Sequence, residues 1–404
     1  MNKQLLIIGH VWPEPKSSAA GRRMMQLIEF FKVSSYDICF ATPCSKKEYS
    51  YPLEKINVSV ESIEVNNSSF NDFIQKLKPD VVIFDRFMME EQFGWRVQDY
   101  CPKAITLLNT EDLHSLRRKR KSKISGKPSS KNDELELREL ASIYRCDISL
   151  IISKFEIEYL KGKGVQEDLL FYLPFMEDVP SQKNILKYED RENMVTIGSF
   201  LHDPNIDGVR YLKENVWPLV RKKLPDVEMH VYGSYPNSKI EQLTNLTEGF
   251  IIKGWADDAS NVMSKARVCL SPLRFGAGLK GKFIDAMRTG TPSVTTQIGS
   301  EGMPQGENWP GFISDSPNEM ANKAVLLYNE KDIWREKQSI GIRVLSSEFS
   351  KEEYQQKFKE KLFSLRANLA QHRSQNITGN ILKLNNLRST KFMSKWIEEK
   401  NRRA

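Results

Sequence analysis

The sequence predicts an α/β protein of two domains, each built on a parallel β-sheet, and three observations lead to this prediction. Apolar runs of strand length alternate with helical periodicity along most of the 404 residues, which is the pattern of βαβ units. A polar stretch without periodicity, residues 179–192, interrupts the alternation once. The length suits two or three domains of roughly 100–200 residues. We expect two similar domains that face each other across a cleft, with ligands at the carboxyl ends of the strands.

The first domain is expected to span residues 1–178. Its predicted strands are QLLIIGHV, YDICFAT, VSVESIEV, DVVIFDRF, AITLLNT, DISLIIS and LLFYLPF. The helical segments between them are AAGRRMMQLIEFFKV, NDFIQKLK, EEQFGWRVQDYC, DELELRELASIYRC and KFEIEYLKGKG. The basic stretch before DELELRELASIYRC is expected to be a loop.

The second domain is expected to span residues 193–350, after a linker at 179–192. Its alternating segments are NMVTIGS, GVRYLKENVWPLVRKKL, VEMHVYGS, GFIIKGW, ASNVMSKA, VCLSPL, GKFIDAMRTG, PSVTTQ and NEMANKAVLLYNE. The helical stretch at 351–370 is expected to cross back to the first domain. Residues 371–404 are expected to form a basic, frayed tail, with an amphipathic pattern only in FMSKWIEEKNRR.

The net charge of +8 is concentrated in two segments. Residues 113–132 contain eight Lys/Arg and no acid, and residues 371–404 contain eight Lys/Arg and two Glu. Such segments attract phospholipid headgroups, nucleic acid or phosphorylated substrates. A solvated loop and a disordered tail are equally good explanations. Aromatic residues are not interleaved with the first segment, which argues against stacking on single-stranded nucleic acid.

Several classes of protein are disfavoured by the composition. No apolar run approaches the roughly 18 residues that a membrane-spanning helix needs, and MNKQLLIIGHVWPEP is interpreted as a strand and not as a signal peptide. The five cysteines are scattered without a Cys-x-x-Cys pair, so neither a disulfide framework nor structural zinc is expected. We expect a cytoplasmic protein.

The stretch RFGAGLKGKFIDAM, residues 274–287, carries the clearest chemistry. Its glycines let backbone N–H groups approach a ligand, and a helix that starts near Lys280 to Lys282 presents unpaired N–H groups and a positive dipole end. Arg274, Lys280 and Lys282 add charge suited to a diphosphate, and Asp285 could accept hydrogen bonds from ribose hydroxyls. The spacing is not that of a P-loop. A plain αβ connection with surface lysines is the alternative.

Three longer segments resemble the donor-binding domain of retaining glycosyltransferases of family 4, which have the GT-B fold of two Rossmann-like domains. The segments are SPLRFGAGLKGKFIDAMRTGTPSVTTQIGSEGM, TIGSFLHDPNIDGVRYLKENVWPLVRKKLPDVEMHVYGSYP and IIKGWADDASNVMSKARVCLSP. The resemblance covers about residues 193–365 and is weaker over 1–176. It implies a nucleotide-sugar donor that is bound mostly by the second domain, with no metal or other cofactor required.

By this resemblance, particular residues acquire roles toward the donor. Asp285 would hold the ribose, and Lys280, Lys282 and Arg274 would neutralise the diphosphate. The residues that would give room or contacts to sugar, phosphates and base are Gly278, Gly281, Gly198, Ser199, Gly254 and Trp255. Two departures stand out: the family's pair of glutamates eight apart is Ala277 and Asp285 here, and the loop SFLHDPN lacks the usual Arg and Lys.

The first domain is expected to supply the acceptor side. In GT-B enzymes the loop after the first strand closes over the donor phosphates and the acceptor, and the candidates here are Ser17, Ser18, Gly21 and Arg22; a serine-capped helix explains the serines equally well. In LLNTEDLHSLRR, after a later strand, Glu111, Asp112 and His114 could orient the acceptor hydroxyl or share its proton. His10 is a second candidate.

The resemblance implies a glycosyltransferase of the hexosyltransferase type that acts with retention, and the family's commonest setting, surface polysaccharide or glycolipid synthesis, is the one expected here. The acceptor could be a lipid-linked sugar, a glycan or RNA, with contact to an anionic membrane at its inner face through 117–131 or 371–404. Three alternatives remain open: a GT-B sugar-nucleotide epimerase, a phosphorylase with pyridoxal phosphate, and a catalytically weakened binder of RNA or anionic membrane.

Overall fold

The computed structural model describes residues 3–126, 131–181 and 185–403, and it contains two parallel β-sheets. The first sheet has seven strands in the order β3-β2-β1-β4-β5-β6-β7, and every pairing between them is parallel. These strands are β1 Lys3–Ile8, β2 Tyr36–Thr42, β3 Ser59–Ser62, β4 Val81–Asp85, β5 Ile105–Asn109, β6 Ile148–Ile151 and β7 Leu170–Tyr172.

The second sheet has six strands in the order β10-β9-β8-β11-β12-β13, again all parallel. The strands are β8 Glu192–Ile197, β9 Met229–Tyr232, β10 Phe250–Gly254, β11 Ala266–Ser271, β12 Ser293–Thr295 and β13 Gly311–Ile313. The alternation of strands and helices read from the sequence therefore gives two doubly wound domains, as predicted.

Helices cover both faces of each sheet. In the N-terminal domain they are α1 Ala19–Val33, α2 Ser69–Leu77, α3 Phe87–Tyr100, α4 His114–Ser125, α5 Lys131–Arg145 and α6 Lys154–Gly162. In the C-terminal domain they are α7 Asp203–Tyr211, α8 Trp217–Arg221, α9 Ser238–Glu241, α10 Ala259–Lys265, α11 Gly281–Thr289, α12 Gln297–Ser300, α13 Pro317–Asn329 and α14 Lys331–Glu348. The last three are α15 Lys351–Ala367, α16 Leu369–Gln375 and α17 Ile377–Arg402.

The first sheet separates two apolar cores, and β1 contributes to both. Leu5 and Ile7 pack into the core under α1, whereas Leu6 and Ile8 pack into the core under α2 and α3. Burial on both faces explains why this strand reads as a continuous apolar run and not as an alternating one.

Helix α15 returns to the N-terminal domain after the second sheet is complete. Its Phe358 is fully buried against Phe30, Phe31 and Phe171. The two crossings between the domains lie side by side, because the Glu177 N–H donates to Phe349 O at 2.8 Å and the Lys351 N–H donates to Glu177 O at 3.0 Å. The two chain segments that connect the domains therefore form one hinge.

Two sequence-based expectations about the basic segments are wrong. The segment 117–131 is not a loop through most of its length: residues 117–125 belong to α4, and 127–130 lie outside the described residues. Pairs to neighbouring elements hold this helix: Lys119 contacts Glu136 at 2.6 Å, and Arg120 contacts Glu301 at 2.6 Å. The stretch 371–404 is not frayed either, since 377–402 form α17, which packs on α3 and α5. Residues 182–184 of the expected linker are also outside the described part.

Among the described residues, we find no helix whose length and apolarity would let it span a bilayer.

Candidate active site

The two domains meet where the first turn of α1 faces the first turn of α11. A Cβ atom placed on Gly281 would lie 2.5 Å from the Cβ of Ala19, so only glycine permits this approach. Gly21 is equally confined, because a Cβ there would lie 2.4 Å from the backbone of Glu14. Ser18 accepts the Gly21 N–H at 3.0 Å and caps α1. Two helix N-termini, each with unpaired N–H groups and a positive dipole end, are thus directed at the same region.

Asp285 of α11 is held by two arginines. Its carboxylate accepts from Arg22, which comes from the N-terminal domain, and from Arg288 at 2.7 Å. Arg22 also lies 3.7 Å from Glu177 at the hinge. The residue expected to hold a ribose therefore serves, in this structure, as the anchor of an interdomain ion pair, and a ribose would have to share its oxygens.

Lys280 and Lys282 lie at the start of α11, as the sequence predicted. The Lys280 ammonium donates to Gly278 O at 2.9 Å, and that of Lys282 donates to Asn205 Oδ1 at 3.0 Å and Ser271 Oγ at 3.2 Å. Burial lowers the pKa of both lysines to about 8. Among the described residues, the hydrogen-bond acceptors of both ammonium groups are neutral oxygens, although the carboxylates of Glu301, Glu156 and Asp112 act on Lys280 from a greater distance. An incoming anion could therefore form direct ion pairs with both lysines.

Arg274 does not join this group. Its guanidinium donates to both carboxylate oxygens of Asp207, and it lies over the ring of Tyr211 at 4.9 Å. The expected contribution of Arg274 to a diphosphate site is therefore absent in this conformation, because a carboxylate of α7 already neutralises it.

Gly278 lies at the seam between the domains and has a φ of +63°, a left-handed conformation that favours glycine. A Cβ on Gly278 would lie 3.0 Å from the Cβ of Asp112. Its N–H donates to Glu156 Oε1 at 2.8 Å, and the same oxygen accepts the Leu113 N–H at 3.0 Å. The glycine-rich loop is thereby fixed directly onto the acceptor-side loop.

Glu156 is the residue that sequence reasoning missed. It is fully buried, and its Oε2 has no hydrogen-bond partner in the described part of the chain. Burial, with repulsion from Asp112, raises the pKa of Glu156 to about 8. The only sequence signal is a glutamate in the first turn of α6, directly after a strand, which is too common a position to single out.

The loops after β8 and β9 lie near α1 as well. Gly198 is close-packed, since a Cβ on it would lie 2.6 Å from Asn205, while Ser199 O accepts from Asn205 at 2.9 Å. Ser17 and Ser234 share a hydrogen bond of 2.6 Å across the cleft. Gly198 and Ser199 are therefore tied to the same asparagine that contacts Lys282.

Trp255, the candidate for contacts with a base, follows Gly254 at the end of β10. Its indole stacks on Tyr49 of the N-terminal domain, with ring centroids 4.6 Å apart and planes 15° apart. The indole N–H is buried and has no partner among the described residues. The indole of Trp255 therefore offers a flat surface for a base, but the ring of Tyr49 covers that surface in this structure.

The acceptor-side candidates Glu111, Asp112 and His114 do lie together, between β5 and α4. His114 Nε2 is 3.5 Å from Asp112 Oδ1, and Arg117 pairs with the same carboxylate. Burial, with the cations Arg117 and Arg86, lowers the pKa of His114 to about 4 against the attraction of Asp112. Arg117 holds the pKa of Asp112 well below its usual range despite burial.

Glu111 differs from its neighbours in its protonation. Burial and repulsion from Asp85 raise the pKa of Glu111 to about 7, and its Oε1 accepts from Asn109 at 2.7 Å. His10 lies within electrostatic range of His114, and its buried Nδ1 has no partner among the described residues. The cluster thus holds a neutral imidazole and a carboxyl that titrates near neutrality. No grouping of three or more potential metal ligands occurs in the described ranges.

Comparisons with known proteins show what this chain resembles. Residues 191–330 match the family model described as glycosyl transferases group 1. A curated relative, the uncharacterized 44.6 kDa protein in the cps region of Klebsiella pneumoniae, is 28% identical over 163 residues, 39% of this chain. The matched part spans about 40% of the length of that relative.

Solved structures match over nearly the whole chain. A TarM variant from S. aureus with fondaparinux, α-GlcNAc-glycerol and UDP has a TM-score of 0.70 at 11% identity, covering 90% of this chain and 99% of its own. Sucrose-phosphate synthase from Thermosynechococcus elongatus has 0.70 at 14%, with the same coverage. HepE from Anabaena with UDP and glucose has 0.69 at 13%, covering 90% and 100%.

The two-domain architecture is therefore the GT-B fold. The resemblance of the C-terminal domain to group 1 glycosyltransferases, indicated by its motifs, is confirmed by the family match over 191–330.

Proposed function

We propose that the protein transfers a sugar from a nucleotide-sugar donor to an acceptor hydroxyl, with a nucleoside diphosphate as leaving group. The observation that carries this proposal is the pair of buried ammonium groups, Lys280 and Lys282, at the N-terminus of α11, inside the segment that matches glycosyl transferases group 1. Preorganised positive charge of this kind stabilises negative charge that develops on a departing phosphate. Retention at the anomeric carbon and a hexosyl donor are part of the proposal and rest on the family resemblance.

The donor extends from α11 toward the end of β10. Its diphosphate lies against Lys280, Lys282 and the α11 N-terminus, and its base lies near Trp255, in exchange for Tyr49. UDP-containing complexes of TarM and HepE, which share this fold, support a uridine nucleotide as the first donor to test. Asp285 contributes to the ribose only if its pair with Arg22 opens.

The acceptor side supplies proton handling. The anomeric C–O bond to phosphate breaks, a bond to the acceptor oxygen forms, and the hydroxyl proton must leave. Glu111, whose pKa burial raises to about 7, takes this proton, and the neutral imidazole of His114 orients the hydroxyl. Asp112 remains ionised and holds His114 in position.

Binding of the donor tests the proposal before any acceptor is known. Uridine, guanosine, adenosine and thymidine diphosphate sugars are titrated into the protein by calorimetry, together with Lys282→Gln, Lys282→Arg and the matched control Lys265→Gln. Lys265 lies on the surface of the same domain. We expect one nucleotide sugar to bind, with about a tenfold or greater loss in Lys282→Gln and wild-type affinity in the control.

The products then separate transfer from its alternatives. Incubation of the bound nucleotide sugar with candidate glycan and lipid-linked acceptors is expected to release nucleoside diphosphate, and Glu111→Gln is expected to slow this release without weakening donor binding. If the donor is instead converted to an epimer in the absence of any acceptor, the protein is an epimerase and the proposal of sugar transfer is wrong. The absence of binding to any nucleotide sugar or nucleoside diphosphate would refute the donor site.

A further inference from the structure

Helix α17 carries an apolar face that no element in the described part of the chain covers. Six large apolar side chains of this helix are each 54–67% exposed: Ile377, Ile381, Leu384, Phe392, Met393 and Trp396. Residues at 377, 381, 384, 392 and 396 recur at helical spacing, so they form one stripe along the helix. Scattered exposed apolar residues are ordinary, whereas several of them on one face of a single helix mark an interaction surface.

The opposite side of α17 is fixed to the N-terminal domain. Ser394 is buried and accepts from Arg96 at 3.1 Å, and Lys391 pairs with Asp99. Near the start of the helix, a Cβ on Gly379 would lie 2.2 Å from Tyr144 O, which requires glycine at this contact. The apolar stripe therefore points outward because the polar and small side of the helix is already docked.

The charges around the stripe are positive. Lys395 is exposed and has no ion-pair partner in the described ranges, and Lys400 lies over the ring of Trp396 at 5.5 Å. The nearby acids are engaged within the protein: Glu398 accepts the Ser68 N–H at 3.0 Å, and Glu399 accepts from Arg403 at 2.9 Å. The stripe thus combines aliphatic and aromatic side chains with lysines at its border.

We propose that this face of α17 docks on the surface of an anionic lipid bilayer. Apolar side chains flanked by lysines, with a tryptophan at the boundary, are the features of helices that lie in the membrane interface. A two-fold contact between copies of this chain would bring the patch against itself, so Lys395 and Lys400 would approach like charges. Aliphatic side chains at 377, 381 and 384 give nucleic acid no stacking surface.

The docking surface does not depend on sugar transfer. It lies on the N-terminal domain, which also holds Glu111, Asp112 and His114, so a chain bound in this way keeps its acceptor-side domain at the lipid surface. An acceptor anchored in the bilayer would then lie at the same surface as the acceptor-side residues of the protein.

Vesicle flotation of the full chain tests the proposal. Vesicles of phosphatidylcholine with 30% phosphatidylglycerol are compared with phosphatidylcholine alone, for the wild type, Phe392→Ser/Trp396→Ser, Lys395→Glu/Lys400→Glu and Phe363→Ser. Phe363 is 77% exposed on α15 and is the matched control. We expect the wild type and the control to bind anionic vesicles at least tenfold more tightly than neutral ones, and both double variants to lose at least tenfold. All substitutions are at exposed positions, and unchanged far-ultraviolet circular dichroism with an unchanged urea midpoint confirms that each variant is folded.

A second readout locates the contact. Trp396 is 61% exposed, whereas Trp95, Trp217, Trp309 and Trp334 are fully buried. Brominated lipids are therefore expected to quench the wild-type fluorescence and not that of Trp396→Phe. Wild-type binding by the Phe392→Ser/Trp396→Ser variant overturns the proposal, as does equal binding to neutral vesicles. A wild-type dimer that Trp396→Ser dissociates without lipid would assign the face to self-association instead.

Discussion

At the scale of single residues, the two lysines of α11 give the donor site a pH dependence. Burial lowers the pKa of Lys280 and Lys282 to about 8, so both are charged at pH 7 and mostly neutral at pH 9.5. Affinity for a nucleoside diphosphate is therefore expected to fall about tenfold or more between these values. Lys282→Arg keeps one charge at high pH and is expected to fall less. Calorimetry of both proteins at each pH removes the effect of the ligand's own titration from the comparison. If affinity fell equally with pH in the wild type and Lys282→Arg, the assignment of Lys282 to the diphosphate site would be contradicted.

Glu156 makes a second prediction, about stability. Its pKa is about 8 in the folded protein and about 4.3 in an unfolded chain, so the folded state binds the extra proton between these values. The stabilising contribution is complete below about pH 4 and is lost as pH rises through 8. Glu156→Gln preserves the acceptor for the Leu113 and Gly278 amides but has no proton to lose.

The measurement is the free energy of unfolding of wild type and Glu156→Gln at pH 5, 6, 7, 8 and 9. As pH rises from 5 to 9, we expect the free energy of unfolding of the variant to increase relative to that of the wild type by a few kcal/mol. Each unit of difference between the folded and unfolded pKa corresponds to about 1.4 kcal/mol. Because the other titrating groups are common to both proteins, the difference isolates Glu156. A difference that does not change with pH would mean that this carboxyl is ionised in the folded protein.

At the scale of secondary-structure elements, closure of the cleft depends on the contact between α1 and α11. Gly281→Ala places a methyl group 2.5 Å from the Ala19 Cβ, so the helices must separate or strain. We expect a loss of about 1–3 kcal/mol in stability and a weakening of donor binding, because the Arg22–Asp285 pair spans the same contact. Gly162→Ala, which meets no atom within 4 Å, is the control.

Small-angle scattering completes that experiment. Separation of the helices at a single hinge is expected to raise the radius of gyration of Gly281→Ala and to leave that of Gly162→Ala unchanged. An unchanged radius together with wild-type donor affinity would show that the contact between α1 and α11 does not control closure.

The elements also show what the sequence could and could not predict. The strands and the glycine–lysine motif each depend on residues that are close in sequence. Hydrophobic periodicity therefore predicted the strands, and residue spacing predicted the motif. Glu156 meets Gly278 at a separation of 122 positions, and Arg22 meets Asp285 at 263, and no local pattern encodes such pairs. Likewise, α4 is polar on nearly all sides, and ion pairs to α5 and to Glu301 hold it in place. Its sequence therefore lacks the apolar periodicity that would have predicted a helix.

At the scale of the whole molecule, the chain is completed by segments that return to its beginning. Helix α15 enters the first core, and α16 then reaches the edge of the sheet opposite the cleft. There Arg373 donates to both oxygens of Asp147, at 2.7 Å each, and to the carbonyls of Pro102 and Ala104. Residues that sequence analysis assigned to a frayed tail therefore neutralise a carboxylate that is almost fully buried.

This pair supports a prediction about the stability of the entire fold. Arg373→Met keeps much of the side-chain volume but leaves Asp147 buried without its cation, which costs about 3–5 kcal/mol when a buried ion pair is broken. The matched control is Arg335→Met, whose pair with Glu189 is half exposed and is expected to contribute less than about 1 kcal/mol. Urea unfolding followed by circular dichroism gives both values.

The pH dependence identifies the cause of that loss. Hydrogen bonds and attraction from Arg373 hold the pKa of Asp147 below its usual value despite burial, so its stabilising contribution is present above about pH 4 and disappears as pH falls further. The difference between wild type and Arg373→Met is therefore expected to be largest at pH 7 and to shrink as pH falls, because the buried Asp147 takes up its proton first in Arg373→Met and in the wild type only below its lowered pKa. Arg373→Met/Asp147→Asn should recover part of the loss at pH 7, since the amide carries no charge to leave unpaired. A loss that is the same at pH 7 and pH 3.5, with no recovery in the double variant, would mean that Arg373 acts through packing alone.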